Sequence, residues 1–143
     1  MNKKHVLLLI SISLLFLIFD LGKGLFYGHI GVGSSRSYLN TFQYWSSYTK
    51  ANEGNVESIK KLRMYYEFWK NDIQERNKWL ALCAELGDPD CLYSLGAYHV
   101  RFEDNWQKGA PLIREAANLN YLPAQKFIKH HPEKFNNYDH KSD

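Results

Sequence analysis

Ala51-Asn52-Glu53-Gly54, Ala84-Glu85-Leu86-Gly87 and Ala117-Asn118-Leu119-Asn120 are one phrase repeated at a step of 33 residues. The same step links Ser58 with Cys91 and Ala124, and Leu62 with Leu95 and Ile128. A period of this size is the signature of stacked helical hairpins. Within it, small residues sit on both sides of each turn, where they let neighbouring helices approach closely, and a larger apolar residue fills the space one turn further on. Such arrays usually bind other proteins, which shifts the expectation away from catalysis.

Working outward, Asn55 to Trp69 carries Val56, Ile59, Leu62, Tyr65, Tyr66 and Trp69 at spacings of three and four, which predicts a helix. Asn71-Asp72 ends it, and Ile73 to Leu86 reads as its partner. Cys91 to Phe102 is the next helix, and Glu103-Asp104-Asn105 the next break. Pro111 to Leu119 follows, with Trp106 as an earlier possible start, and Ala124 to Lys129 is a final helix before Pro132. Upstream, 37–50 is an aromatic-rich helix that caps the open end of the array. The segment 132–143 reads as a polar tail that frays from Lys134.

The N-terminus has a different character. Met-Asn-Lys-Lys-His precedes an apolar run, Val6 to Phe19, interrupted only by Ser11 and Ser13. Its length suits a signal-peptide core and is short for a membrane span. Gly22 and Gly24 supply small residues for cleavage after Gly24, which makes 1–24 a signal peptide and 25–36 a linker that includes Ser34-Ser35-Arg36. The other reading is an uncleaved anchor, tethered through residues 6–19 with Lys3 and Lys4 on the cytoplasmic side. Cleavage is the preferred expectation. Either way the remainder of the chain is exported.

Cys83 and Cys91 are the only cysteines in the 143 residues. Gly87 ends one helix, and Asp88-Pro89 starts the next with an N-cap and a first-turn proline. The turn between antiparallel helices brings the two cysteines within reach of a disulfide, the alternative being two buried thiols. A bridge in a small exported domain adds about 2–3 kcal/mol.

These residues resemble the Sel1-like repeat family. Cys83-Ala84, Gly87, Cys91, Leu95-Gly96 and Tyr98 match one pass of its motif, and Trp79 matches the aromatic of the second helix. Ala116-Ala117, Ala124 and Ile128 match the next, so the resemblance covers about residues 51 to 128. Arg63 in place of the glycine after Leu62, Asn120 in place of the turn glycine, and His99 where an aromatic is usual depart from it. The resemblance implies an all-α fold, a short right-handed α-solenoid of antiparallel helix pairs related to tetratricopeptide repeats, with repeats over 51–131. The Cys-x7-Cys spacing is similar to the exported, cysteine-bridged bacterial branch, which implies a periplasmic location. Some small exported members are immunity proteins that neutralise phospholipase effectors of type VI secretion. An envelope scaffold or signalling adaptor is the alternative implication, and a cell-wall or lipid hydrolase the weakest.

Little chemistry competes with a binding role. The charge of +3 is not gathered into a basic stripe, which argues against nucleic acid as partner. No nucleophile-elbow, phosphate-loop or dinucleotide motif is present, so no catalytic residue and no cofactor is expected. His130-His131 with Asp139 and His140 is too weak a pattern to predict a metal site. The expected partner is a protein, and aromatic richness (10 Tyr, 4 Trp) suits an interface. In helical-hairpin arrays the first helix of each pair lines the concave side. Its outward positions, Glu57, Lys60, Met64, Asp90, Tyr93 and Lys126, are the candidate contact residues.

Overall fold

The computed structural model describes residues 3–30 and 37–139, with side chains described for 3–23 and 37–136. The chain is all-helical, and among the described residues there is no strand. Helix α1 spans Lys3–Ile30, α2 Thr41–Asn52, and α3 Val56–Met64, which continues into a π-helical segment Tyr65–Lys70. Then come α4 (Ile73–Glu85), α5 (Pro89–Phe102), α6 (Trp106–Asn118), α7 (Leu122–His130) and α8 (Pro132–Asp139).

The 33-residue step is written into the backbone. Gly54, Gly87 and Asn120 all take a left-handed conformation, at φ 83°, 75° and 62°. Around each, the same pair of hydrogen bonds closes the preceding helix. Gly54 N–H donates to Ala51, Gly87 to Ala84 and Asn120 to Ala117, while Asn55, Asp88 and Tyr121 donate five residues back to Lys50, Cys83 and Ala116. This is a Schellman closure, which satisfies carbonyls that the helix end leaves open. Asn120 can stand in for glycine because asparagine tolerates the left-handed region better than most residues. Gly87→Ala is therefore expected to cost about 1–2 kcal/mol from backbone strain alone, because a Cβ there meets nothing within 4 Å. Asn120→Gly should be close to neutral, and chemical denaturation of the two variants checks both.

The second turn series repeats equally well. Asn71 and Asp104, 33 apart, are also left-handed, at 52° and 47°. The next residues, Asp72 and Asn105, cap α4 and α6 by accepting from the N–H groups of Glu75 and Lys108 at 3.0 and 3.1 Å. Asn55 and Asp88 likewise cap α3 and α5. α2 begins four residues later than the sequence suggests, at an Asn40–Gln43 capping box.

Consecutive helices from α2 to α7 pack against one another. Alternate helices also touch. Lys60 on α3 pairs with Asp88 at the start of α5 at 2.7 Å, and Asp90 on α5 accepts from Tyr121 at the start of α7 at 2.8 Å. Tyr48 on α2 meets Trp79 on α4 edge to face. One apolar core runs through the body, with Ile59, Leu62, Leu80, Leu92 and Ile113 fully buried.

Two expectations need correction, and one alternative is decided. Residues 132–139 are helical rather than a fraying tail. Phe135 is 2 % exposed and packs on Trp106 and Phe127, and the Arg114 guanidinium donates to its carbonyl. α6 starts at Trp106, the earlier of the two starts that the sequence offers, with Pro111 inside it. Residues 25–30 belong to α1 rather than to a linker, and 31–36 lie outside the described residues. α1 runs through Gly22 and Gly24 without a break, and its apolar side chains from Leu7 to Leu21 are exposed. Lys3–Lys23 is long and apolar enough to cross a membrane.

Candidate functional site

Cys83 and Cys91 form a disulfide with 5.6 Å between their Cα atoms, and both are fully buried. The bridge spans the α4–α5 turn. Asp88 lies beside it, within 4.8 Å of both sulfurs, but the carboxylate caps the Cys91 N–H and pairs with Lys60. With the sulfurs bonded to each other, this cluster is a structural staple.

The six predicted contact residues lie on the first helices of the hairpins, but in three different situations. Glu57, Met64 and Lys126 are exposed. Lys60 and Asp90 are engaged within the fold, Lys60 with Asp88 and Asp90 with Tyr121 and with Arg63 at 3.7 Å. These ties hold α3, α5 and α7 side by side. Tyr93 is half-buried against Tyr121 and Phe127. Arg63 and Tyr121 thus belong to this face although the sequence reading did not place them there. The signal for Tyr121 was its register, because it stands 33 residues after the capping Asp88. It has no side-chain cap to offer, so its hydroxyl reaches Asp90 instead.

Burial, together with the hydrogen bond to the Asp90 carboxylate, pushes the Tyr121 phenol up to about 12. A pKa raised on folding stabilises the native state below the ordinary value of 10 and loses that contribution as pH climbs towards 12. Stability is expected to fall across this alkaline window, and Tyr121→Phe should make the fall shallower. Urea midpoints measured against pH check it. Tyr66 moves in the same direction, through burial and its 2.8 Å hydrogen bond to Tyr44, so part of the decline should persist in the variant.

An open groove of about 600 Å3 lies between α5 and α7, lined by Tyr93, Arg101, Pro123, Lys126, Phe127, His130 and His131. The Arg101 guanidinium stands 5.5 Å from the Phe127 ring centroid. The groove thus joins an aromatic floor to a cationic rim, and among the described residues no carboxylate lines it. His131 packs on Phe127 and Trp106, whereas His130 bonds to the Lys126 carbonyl, so the two adjacent histidines are held in different ways. His140 lies outside the described residues, and Asp139 is described by its backbone alone.

A second cavity, of about 470 Å3, sits where α1 meets α2 and the π-helical segment, walled by Tyr38, Tyr44, Trp45, Tyr66 and Trp69 with the charged groups of Asp20, Lys23 and Lys70. No protein-family model, curated protein or solved structure matches this chain.

Proposed function

We propose that the chain is an exported protein-binding module of the Sel1-like, right-handed α-solenoid kind, and that it acts as an immunity protein. In this reading it occupies a toxic secreted enzyme of the phospholipase class in the periplasm and performs no catalysis itself. The observation that carries the reading is the α5–α7 groove, where Tyr93 and Phe127 offer an aromatic floor and Arg101 and Lys126 a cationic rim. Tyrosine and arginine are the side chains that most often anchor protein interfaces. The rim favours a partner segment bearing carboxylates. The buried disulfide and the apolar N-terminal helix support export to an oxidising compartment. The choice of a toxin as partner rests on the resemblance in size, export signal and repeat content.

The test is co-expression of the full chain with candidate secreted phospholipases, beginning with any that a neighbouring gene encodes. A stoichiometric complex and loss of lipase turnover are expected. Tyr93→Ala combined with Lys126→Glu should weaken the complex by roughly 10-fold or more, the effect of losing one interface anchor. Candidates that all stay active at saturating amounts of the chain would sink the reading. So would turnover of a wall or lipid substrate by the purified chain alone.

A further inference from the structure

Asp20 is out of place in a signal sequence, and its surroundings give it a different role. Its carboxylate accepts from the Thr41 N–H at 2.7 Å and from the Tyr38 hydroxyl at 3.2 Å. Thr41 is the first residue of α2, where free N–H groups and the helix dipole favour a negative charge. α1 therefore supplies the anion at the N-terminus of α2. A carboxylate at the edge of an apolar span is costly without partners, and here it has two donors. Cleavage after Gly24 would remove both bonds from the folded protein.

This tie sets the level at which the body meets α1. The 21 residues Lys3–Lys23 make a helix of about 31 Å, which matches a hydrocarbon core of roughly 30 Å. Asp20 and Lys23 then stand at its outer boundary, and the first turns of α2 are fixed at the same height. Phe42 and Trp45 project from those turns, 76 % and 59 % exposed. The 470 Å3 cavity opens beside them. Two of its walls carry ammonium groups resting on rings, Lys23 on Phe19 at 4.5 Å and Lys70 on Tyr65 at 5.8 Å. The Asp20 carboxylate also lines it, with its oxygens turned to Thr41 and Tyr38, so the lysines leave the lining net positive. Aromatic rings and lysines are the side chains that favour the headgroup layer and anionic lipids.

We propose that α1 stays in the mature protein as a membrane anchor and that this cavity takes the phosphate headgroup of an anionic phospholipid. Lys23 and Lys70 meet the phosphate, and Phe42 and Trp45 enter the interfacial layer. The cavity and the α5–α7 groove have no lining residue in common, so this inference stands apart from the choice of protein partner.

The full chain is purified from membranes, weighed intact, and reconstituted in vesicles of phosphatidylcholine alone or mixed with phosphatidylglycerol. Both lipid mixtures carry bromine near the headgroup. The intact mass should include α1. Tryptophan emission should be quenched by the brominated lipid, more strongly with phosphatidylglycerol, and the largest share of quenching should vanish in Trp45→Phe. Lys23→Gln with Lys70→Gln should abolish the preference for phosphatidylglycerol and leave the chain anchored. A mature mass lacking α1 overturns the proposal. So does a Trp45 signal quenched by aqueous iodide and untouched by brominated lipid. Equal quenching in both lipid mixtures, unchanged in the double lysine variant, overturns the headgroup assignment.

Discussion

Gly109→Ala is expected to destabilise the protein by about 2 kcal/mol, net of the gain alanine brings to a helix. The clash is with main chain rather than with a side chain that can turn away. A Cβ on Gly109 would stand 2.5 Å from the carbonyl oxygen of Gly96 and 2.5 Å from Cγ2 of Val100. The reciprocal Cβ on Gly96 would lie 2.8 Å from the Gly109 carbonyl oxygen and 2.8 Å from Cγ1 of Ile113. α5 and α6 thus cross glycine on glycine, and a methyl group can enter only if the helices part. Separation loosens the packing of Ile113, Ala110 and Val100, all buried in the shared core. Overpacking costs typically 1–3 kcal/mol, and a backbone clash belongs at or above the top of that range, whereas replacing a helical glycine returns only about 1 kcal/mol. Urea denaturation with the disulfide intact is the measurement. A midpoint equal to or above that of the parent chain would show that the helices part at no cost and would refute the crossing as the constraint.

The 33-residue step places Arg63 at the position of Gly96 and Arg76 at that of Gly109. The first hairpin therefore cannot cross in the same way, and the larger side chains find other uses. Arg63 reaches Glu67 and Asp90, and the Arg76 guanidinium stands 5.1 Å from the Tyr98 ring centroid. One backbone frame thus carries a close crossing in one hairpin and charged links to the next hairpin in the other.

Turns were legible in the sequence because their chemistry is local. Gly87, the cap Asp88 and the breaks at Asn71 and Asp104 each require a particular residue type at a particular place, and the period carries the turn glycine to Gly54, whereas the cap at Asn55 was read as part of its helix. Gly109 was not legible for the opposite reason. Within Lys108-Gly109-Ala110-Pro111 it reads as the edge of a helix, and only the approach of α5 explains a glycine inside α6. Phe135 was missed because a single aromatic among polar neighbours shows no period, so its burial depends on Trp106 and Phe127 arriving from elsewhere. On the candidate contact face, spacing placed Glu57, Met64 and Lys126 on the exposed surface. It could not show that Lys60 and Asp90 are engaged within the fold, since their partners belong to the neighbouring hairpin or the turn leading into it.

Reduction of the Cys83–Cys91 bridge is expected to cost about 2–3 kcal/mol, the closure entropy of a short loop. Its sequence separation is eight, and the loop it closes contains the Schellman turn at Gly87 and the Asp88 cap, so much of its order is already local. The bridge therefore acts on the unfolded chain more than on the native turn. The repeat provides an internal comparison. At the next turn the positions of Cys83 and Cys91 are held by Ala116 and Ala124, both fully buried, and that turn closes with the same pair of backbone hydrogen bonds. Cys83→Ala with Cys91→Ala should accordingly fold, retain its helix content and lose about the closure term, with little added by a cavity. Thiol titration of denatured, unreduced protein should find no free thiol. Both sulfurs are inaccessible in the native state, so mild reductant should act only as fast as the α4–α5 region opens. A double alanine variant with an unchanged urea midpoint would remove the bridge from the account of stability, and two titratable thiols would remove the bridge itself and with it the strongest link between this repeat and an oxidising compartment.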